Sequence, residues 1–185
     1  MQAFALLQAF WFFLPAYVAN PTAVLFGGGR PMDFGKTLRD GKRLFGDGKT
    51  WRGFAGGVTS GLILGLILWA IAALVYPSLA YGSFPEGLAP LVLLPLGALL
   101  GDLVGSFIKR RMGKEKGAPA LGLDQYDFFV GAFVLLAVFQ TSWLVQHYWE
   151  GDGVYGLMFI AALTPFLHRA VNIVGFKLGK KEVPW

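Results

Sequence analysis

The sequence predicts an all-α, polytopic membrane protein with five transmembrane helices. Of its 185 residues, 55% are hydrophobic and only 15% are charged, a composition too apolar for an ordinary soluble domain. The apolar residues fall into five runs of about 20 residues, the length that a helix needs to cross the hydrocarbon core. The chain has no cysteine, which excludes disulfides and thiolate metal sites. We therefore expect a single membrane domain over residues 1–185.

Each apolar run predicts one spanning helix, over residues 3–26, 53–76, 89–108, 128–149 and 154–176. The first run lacks the basic start of a secretory signal peptide and is too long for one, so we expect it to be a helix of the folded protein. Pro15 is expected to kink this helix, and the Asn20-Pro21 pair near its far end predicts a helix break.

The basic residues of the connecting segments predict the orientation. Segment 27–52 holds seven Lys and Arg residues and segment 109–127 holds five, whereas segments 77–88 and 150–153 hold none. Because cytoplasmic loops carry an excess of Lys and Arg, we expect the amino terminus outside and the carboxyl terminus in the cytoplasm. Loops 27–52 and 109–127 are then both cytoplasmic, so a multi-pass protein of the cell membrane would have its active site on the cytoplasmic side.

Glycines recur every four residues on the second and third predicted helices, at positions 53, 57, 61 and 65 and at positions 97, 101 and 105. Small residues at this spacing let helix backbones approach closely, which is a main source of helix association in lipid. This packing is expected to bring the start of the second helix close to Asp102 on the third.

Three carboxylates indicate a candidate metal site. Asp102 lies inside an apolar run and shares a helix face with Ser106 and Lys109, while Asp124 and Asp127 follow the basic loop. Oxygen ligands of this kind suit Mg²⁺, which completes its shell with water and phosphate oxygens. We predict a divalent metal that carries a nucleotide triphosphate. The alternative is structural, with Asp102 paired to Lys109 or hydrogen-bonded between helices.

The segment GDGKTWRG, residues 46–53, directly precedes the second helix. It resembles part of a P-loop, but position 43 is Arg where that motif needs Gly, and no strand precedes it. A lysine, a hydroxyl and glycine-freed backbone amides at a helix amino terminus still predict a phosphate-binding loop. The alternative is a basic loop that lies against anionic lipid head groups.

Several motifs in the same order carry a resemblance to a known family. The segment KTWRGFAGG, residues 49–57, resembles K-K-T-W-E-G-F-x-G-G of the membrane CTP:phosphatidate cytidylyltransferases. GDLVGSFIKR, residues 101–110, and LDQYD, residues 123–127, resemble their G-D-x-x-x-S-x-x-K-R...D-R-x-D signature. The chain resembles the archaeal CDP-archaeol synthases more closely, along nearly its whole length, through Pro15, Asn20, Gly28, Pro31, Asp33, Gly35 and the run DGKRLFGDGKTWRG.

The chain departs from the bacterial signature at two places. Ala120-Leu121-Gly122 stands where the bacterial enzymes have H-G-G, and Gln125 stands where Arg is usual. The archaeal enzymes share the L-D-Q form, so these departures favour the archaeal family.

The resemblance implies a reaction in which CTP and an isoprenoid ether-lipid phosphate, 2,3-di-O-geranylgeranylglyceryl phosphate, give CDP-archaeol and pyrophosphate. It implies Mg²⁺ as cofactor, with Asp102, Asp124 and Asp127 as metal ligands and catalytic residues together with Lys109. The CTP-binding residues that we predict are Lys49, Thr50, Trp51, Gly53, Ser106, Lys109, Arg110, Arg111 and Arg43. The partners are CTP, the lipid phosphate and the bilayer, and no nucleic acid, because the cations sit in short loops between spans.

Two other classes of membrane protein are alternatives to a cytidylyltransferase. A small transporter or a lipid-binding protein with an anionic ligand would also hold polar groups at membrane depth, but no internal repeat is present. A lipid-alcohol phosphatidyltransferase would need a D-G-x-x-A-R...G-x-x-x-D-x-x-x-D pattern, which the sequence lacks. On the fifth predicted helix, two roles are open for His168 and Arg169. Either His168 caps a broken helix and Arg169 extends its side chain to the membrane interface, or both residues approach the substrate phosphate.

Overall fold

The computed structural model describes residues 2–115 and 117–184, and in them the chain is all-helical. It forms six α-helices and no β-strand in these ranges. The helices are α1 (Gln2–Leu25), α2 (Trp51–Val75), α3 (Leu88–Arg111), α4 (Leu123–Phe139), α5 (Thr141–Tyr148) and α6 (Gly153–Lys177), with a short 3₁₀ helix, Pro77–Leu79, between α2 and α3. Four of them, α1, α2, α3 and α6, are long and apolar enough to cross a membrane. The chain is a multi-pass, all-helical membrane protein.

The predicted fourth span, 128–149, is not one continuous helix. Gln140 leaves the helical conformation (φ −143°, ψ 46°) and separates α4 from α5. The aromatic side chains of Trp143 and Tyr148 in the short α5 are buried: the Trp143 indole N–H donates to the carbonyl of Tyr81 at 2.8 Å, and the Tyr148 hydroxyl donates to the carbonyl of Ala9 at 3.2 Å. These contacts join α5 to distant parts of the chain, which an apolar run in the sequence does not reveal.

The predicted break at Asn20-Pro21 is also wrong, because α1 continues to Leu25 with Pro15 and Pro21 inside it. A proline removes one backbone hydrogen bond, and nearby hydroxyl groups can satisfy carbonyls in a membrane helix. Pro15 frees the carbonyl of Trp11, which accepts a hydrogen bond from the Tyr81 hydroxyl at 3.0 Å. Next to Pro21, the Thr22 hydroxyl donates to the carbonyl oxygens of Val18 at 2.7 Å and of Ala19 at 3.1 Å. The helix passes both prolines.

The glycine stripes pack helix backbones against one another, as predicted. A Cβ atom added at Gly61 in α2 would lie 2.6 Å from the carbonyl oxygen of Pro15 in α1 and 2.5 Å from Cβ of Pro95 in α3. A Cβ atom at Gly97 in α3 would lie 2.6 Å from the carbonyl oxygen of Gly131 in α4. No side chain fits at these crossings, so α2 and α4 are both held closely against α3.

Helix α1 lies at the centre of the bundle and packs against α2, α3 and α6. The largest fully buried side chains include Phe12 and Phe13 of α1, Leu91 and Leu94 of α3, and Ile160 of α6. This apolar core fills one part of the bundle. The part that lies next to the basic end of α3 is left open as a cavity.

Candidate functional site

A cavity of about 650 Å³ opens between α1, loop 27–50, the first turn of α2, α3, α4, α6 and the carboxy-terminal tail. This volume is in the range of small-molecule binding sites. Its lining combines charged side chains with apolar ones, among them those of Phe10, Leu14, Val18, Leu167 and Val171. The cavity can therefore take a ligand with both apolar and anionic parts.

Lys49 and Asp102, which both line the cavity, form an ion pair. Their side chains are 27% and 23% exposed. Lys49 reaches α3 because the next residue, Thr50, ends the loop as the N-cap of α2. The Thr50 backbone is extended, and its hydroxyl oxygen accepts a hydrogen bond from the N–H of Gly53 at 3.2 Å. The partner of Asp102 is therefore Lys49, and the Asp102–Lys109 pair that we considered as the structural alternative is not formed.

Lys109 and Asp124 form the second ion pair of the cavity, with 2.6 Å between Nζ and Oδ1. The other carboxylate oxygen of Asp124 accepts a hydrogen bond from the backbone N–H of Ala120 at 2.7 Å. Ser106, which is buried, lines the cavity between the two pairs, on the same face of α3 as Asp102 and Lys109. Two lysine–carboxylate pairs thus face one space.

Asp127 lies beside this cavity but is not one of the residues that line it. Its side chain packs against Gly105 of α3, its Oδ1 atom accepts a hydrogen bond from the N–H of Phe128 at 2.6 Å, and its charge interacts with that of Asp102. The glycine at position 105 makes room for this carboxylate between the two helices. Asp102 and Asp127 are consequently neighbours across the α3–α4 contact.

The donor set fits a magnesium ion that is shared with a substrate better than one enclosed by protein. Within the described residues, no group of three or more His, Asp or Glu side chains is arranged to hold a metal. Asp102 and Asp124 are each paired with a lysine, and Asp127 lies beside Asp102. Mg²⁺ commonly binds one or two carboxylates and completes its shell with water and phosphate oxygens. The predicted metal role of all three carboxylates stays a prediction.

Three of the predicted CTP-binding residues lie outside the cavity lining: Arg43, Trp51 and Arg111. Arg43 is bound to Asp33 and Asp47, with nitrogen–oxygen distances of 2.6 and 2.9 Å. Arg111 forms an ion pair with Asp40, and Trp51 is 48% exposed. In this arrangement the two arginines stabilise the shape of loop 27–50, and a direct contact with CTP stays a prediction for all three residues.

The other predicted CTP-binding residues, Lys49, Thr50, Gly53, Ser106, Lys109 and Arg110, all line the cavity. The Nε atom of Arg110 is buried and has no hydrogen-bond partner within the described residues. A buried donor without an acceptor is unfavourable. An anionic ligand in the cavity would supply one.

Asp33 organises the loop that carries Lys49, a role that the sequence analysis did not assign. Its side chain is fully buried and accepts five hydrogen bonds, from Nε and Nη2 of Arg43 and from the backbone N–H groups of Gly35, Phe45 and Gly46. Burial of Asp33 opposes ionisation, yet the hydrogen bonds from Arg43, Gly46, Phe45 and Gly35 outweigh it and hold the pKa of this carboxyl well below its usual range.

Helix α6 and the tail also contribute to the cavity lining, and their residues include His168, Asn172 and Lys181. The Lys181 ammonium group donates a hydrogen bond to Oδ1 of Asn172, whose Nδ2 atom faces the ring nitrogens of His168 at 3.2 and 3.3 Å. Arg169 is exposed and does not line the cavity. Of the pair left open by the sequence, His168 is the one near the site.

Lys181 was missed by the sequence analysis because its position depends on the fold of the tail. Burial lowers the pKa of Lys181; the charge of Asp102 opposes this shift, the charges of Lys49 and Lys109 add to it, and that of Asp124 opposes it. These influences show that Lys181 lies among the four charged groups of the two ion pairs. Lys116, which the sequence places among the cations of loop 109–127, lies outside the described residues.

The fold and the cavity together define a class: a multi-pass, all-helical membrane protein with a cavity that both apolar and charged side chains line. The family model described as "CarS-like: CDP-archaeol synthase" matches residues 3–185. The chain therefore belongs to the CDP-archaeol synthase family.

Individual relatives agree with this assignment over nearly their full lengths. The CDP-archaeol synthase of Methanoculleus marisnigri is 49% identical over 173 residues, which cover 93% of this chain and 99% of the relative. That of Thermococcus onnurineus is 44% identical over 185 residues, which cover all of both chains. A solved structure, described as an intramembrane enzyme for archaeal membrane lipids biosynthesis, is 37% identical with a TM-score of 0.61, and the match covers 85% of this chain and 93% of that one.

Proposed function

We propose that this protein transfers CMP from CTP to 2,3-di-O-geranylgeranylglyceryl phosphate, an unsaturated archaetidic acid, and forms CDP-archaeol and pyrophosphate. The observation that carries the proposal is the cavity lined by both charged and apolar side chains, in a chain that belongs to the CDP-archaeol synthase family. Its charged side chains suit the phosphates of both substrates, and its apolar side chains from α1 and α6 suit the start of the isoprenoid chains. The protein is thus a cytidylyltransferase that acts on a lipid phosphate.

The reaction is a substitution at the α-phosphorus of CTP. An oxygen of the lipid phosphate forms the new bond to this phosphorus, the bond between the phosphorus and the α,β-bridging oxygen breaks, and pyrophosphate leaves with the bonding electrons. The lipid phosphate is already anionic at neutral pH, so no protein base is needed to activate it. The main demands on the protein are alignment of the two substrates and neutralisation of their charge.

Lys49 and Lys109 are placed to neutralise the charge of the substrates. Each now pairs with a carboxylate in the cavity, Asp102 and Asp124 respectively. We infer that a bound triphosphate takes over these lysines, which hold it for attack. The hydroxyl of Ser106 and the guanidinium group of Arg110 line the same space and are available as further donors.

Asp102 and Asp124, once released from the lysines, are proposed to hold magnesium together with Asp127, which lies beside Asp102. Magnesium, when bound, supplies charge neutralisation at phosphate oxygens. The protein's own part is to hold the carboxylates at the α3–α4 contact, where Gly105 leaves room for Asp127. Turnover is then expected to require a divalent metal.

We also propose five crossings, with α4 and α5 together as the fourth, the amino terminus outside and the site on the cytoplasmic side. The support is that the basic loops 27–52 and 109–127 both contribute to the cavity. Because the chain has no cysteine, single cysteines at Thr37 and Ser83 can be labelled individually. In sealed right-side-out vesicles, an impermeant maleimide should label the Ser83→Cys variant and spare Thr37→Cys. Labelling of Thr37→Cys but not of Ser83→Cys would show the opposite orientation of the chain in the membrane.

The activity is tested by pyrophosphate release from the purified protein. CTP is compared with ATP, GTP and UTP, the ether-lipid phosphate is compared with phosphatidic acid, and each pair is measured with magnesium and with EDTA. Release with CTP, the lipid phosphate and magnesium is the expected result, and Asp102→Asn should abolish it in folded protein. Pyrophosphate release that persists in EDTA would show that the reaction does not need a divalent metal. No release from folded protein with any pair would favour a transporter or a lipid-binding protein.

A further inference from the structure

The carboxy-terminal tail turns back onto α6 through a specific backbone motif. The N–H of Gly179 donates to the carbonyl of Phe176 at 3.0 Å, and the N–H of Lys180 donates to the carbonyl of Gly175 at 2.9 Å. With Gly179 in the left-handed region at φ +67°, this pair of bonds is a Schellman motif, which ends a helix and reverses the chain. The tail therefore runs back towards the cavity instead of away from it.

The turn delivers the side chain of Lys181 into the cavity. Its aliphatic stem lies across Gly175, where an added Cβ atom would be 3.5 Å from both Cγ and Cδ of the lysine. Its ammonium group donates to Oδ1 of Asn172, a residue only 2% exposed, and Asn172 is in turn placed against His168. Further along the tail, Val183 lies near Gly117 of loop 109–127.

Lys181 differs from the other lysines that face the charged pairs of the cavity. Lys49 and Lys109 each have a carboxylate partner. Within residues 2–115 and 117–184, Lys181 forms no ion pair, and the partner of its ammonium group is the neutral amide of Asn172. A half-buried ammonium group whose direct partner is a neutral amide is unfavourable, and an anion bound beside it in the cavity would neutralise it.

The geometry points to Lys181 as a phosphate-binding residue of the active site, oriented by Asn172 and supplied by the tail. This inference rests on the proposed function and extends it, because it adds a group from outside the predicted motifs. The phosphate is that of the lipid substrate or one of the CTP phosphates. Both substrates carry the same chemistry into this cavity, so binding measurements are needed to separate them.

The test compares Lys181→Met with wild type. Methionine keeps a flexible apolar stem of similar length over Gly175 and removes the charge. Lys181→Arg restores a cation, and Lys181→Gln keeps a donor for Asn172 without charge, as a second variant if methionine disturbs folding. Lys177→Met is the matched control, because it removes the same charge from an exposed position of the same segment. For each variant, the KM of both substrates and kcat are obtained from pyrophosphate release, and CTP affinity is obtained by calorimetry.

We expect Lys181→Met and Lys181→Gln to raise the KM of one substrate about tenfold or more, the effect of losing one charge-assisted hydrogen bond. Lys181→Arg should recover part of this loss, and Lys177→Met should behave as wild type. Weaker CTP binding would identify a CTP phosphate, whereas a raised KM for the lipid alone would identify the lipid phosphate. If wild type is active and the Lys181 variants keep both KM values and the CTP affinity, the inference is overturned and the proposed function stands. Inactive wild type would instead overturn the proposed function.

Discussion

Replacing Asp33 by Asn tests whether one buried carboxylate holds the loop that presents Lys49. The carboxylate accepts two hydrogen bonds at Oδ1, from Gly35 and Arg43, and three at Oδ2, from Arg43, Phe45 and Gly46. An asparagine oxygen at the Oδ1 position can keep the first two. Its NH₂ group at the Oδ2 position would face three donors and accept from none.

The expected loss follows from these three bonds. A hydrogen bond to a charged group contributes about 1.5–3 kcal/mol, and a buried donor left without an acceptor costs about 1–3 kcal/mol. The Arg43 side chain is 27% exposed, so water can replace part of its interaction. We therefore expect a loss of about 3–6 kcal/mol in the local stability of loop 27–50. Where about 1.4 kcal/mol of this loss depopulates the binding-competent loop, CTP binding weakens about tenfold.

The pH dependence of this stabilisation has a defined sign. The pKa of Asp33 is lower in the folded protein than the unfolded value of about 3.9. The stabilisation is therefore fully present above that unfolded value and is lost as the pH falls through the folded pKa. At neutral pH the wild-type loop has all of it, so neutral pH is the condition in which to compare the two proteins.

Two assays read the loop directly: CTP affinity by calorimetry and the rate of tryptic cleavage after the Lys and Arg residues of segment 30–49. Asp33→Asn should weaken CTP affinity and accelerate tryptic cleavage of the loop, while the helices stay folded in detergent. Asp152→Asn is a matched control, because Asp152 precedes α6 and forms no side-chain capping bond there. If Asp33→Asn binds CTP and resists trypsin as wild type does, Asp33 does not organise the loop.

Three further predictions concern elements that carry the site. Gly101→Ala would place a methyl group against the backbone of α4. We therefore expect about 1–3 kcal/mol of destabilisation and lower turnover. Thermal unfolding measures the destabilisation, and Val104→Ala on an exposed face is the control. Thr50→Val removes the side-chain cap of α2 and should cost about 1 kcal/mol, and an unchanged melting temperature would argue against the cap. Lys109→Met leaves Asp124 without its partner at 2.6 Å and should weaken CTP binding about tenfold, whereas unchanged affinity in calorimetry would remove Lys109 from the phosphate site.

Many of the site residues could be predicted from local sequence. Asp102, Ser106 and Lys109 share a helix face because of the helical period, and Lys49 precedes a helix start that Thr50 marks as an N-cap. The glycine stripes likewise predicted the close approach of helices, since this property depends on residue size at a fixed spacing.

The sequence by itself determined the class of fold, the membrane character and most of the residues that face the cavity, because composition, helical period and motif order are local properties. The tertiary structure alone decided the partners: Lys49 with Asp102, Asp33 with Arg43, and Lys181 with Asn172. It also decided the break at Gln140, after which α5 is joined to Tyr81 by the hydrogen bond of Trp143. Partner choice depends on how helices and loops from distant parts of the chain meet, and burial makes each such choice energetically important.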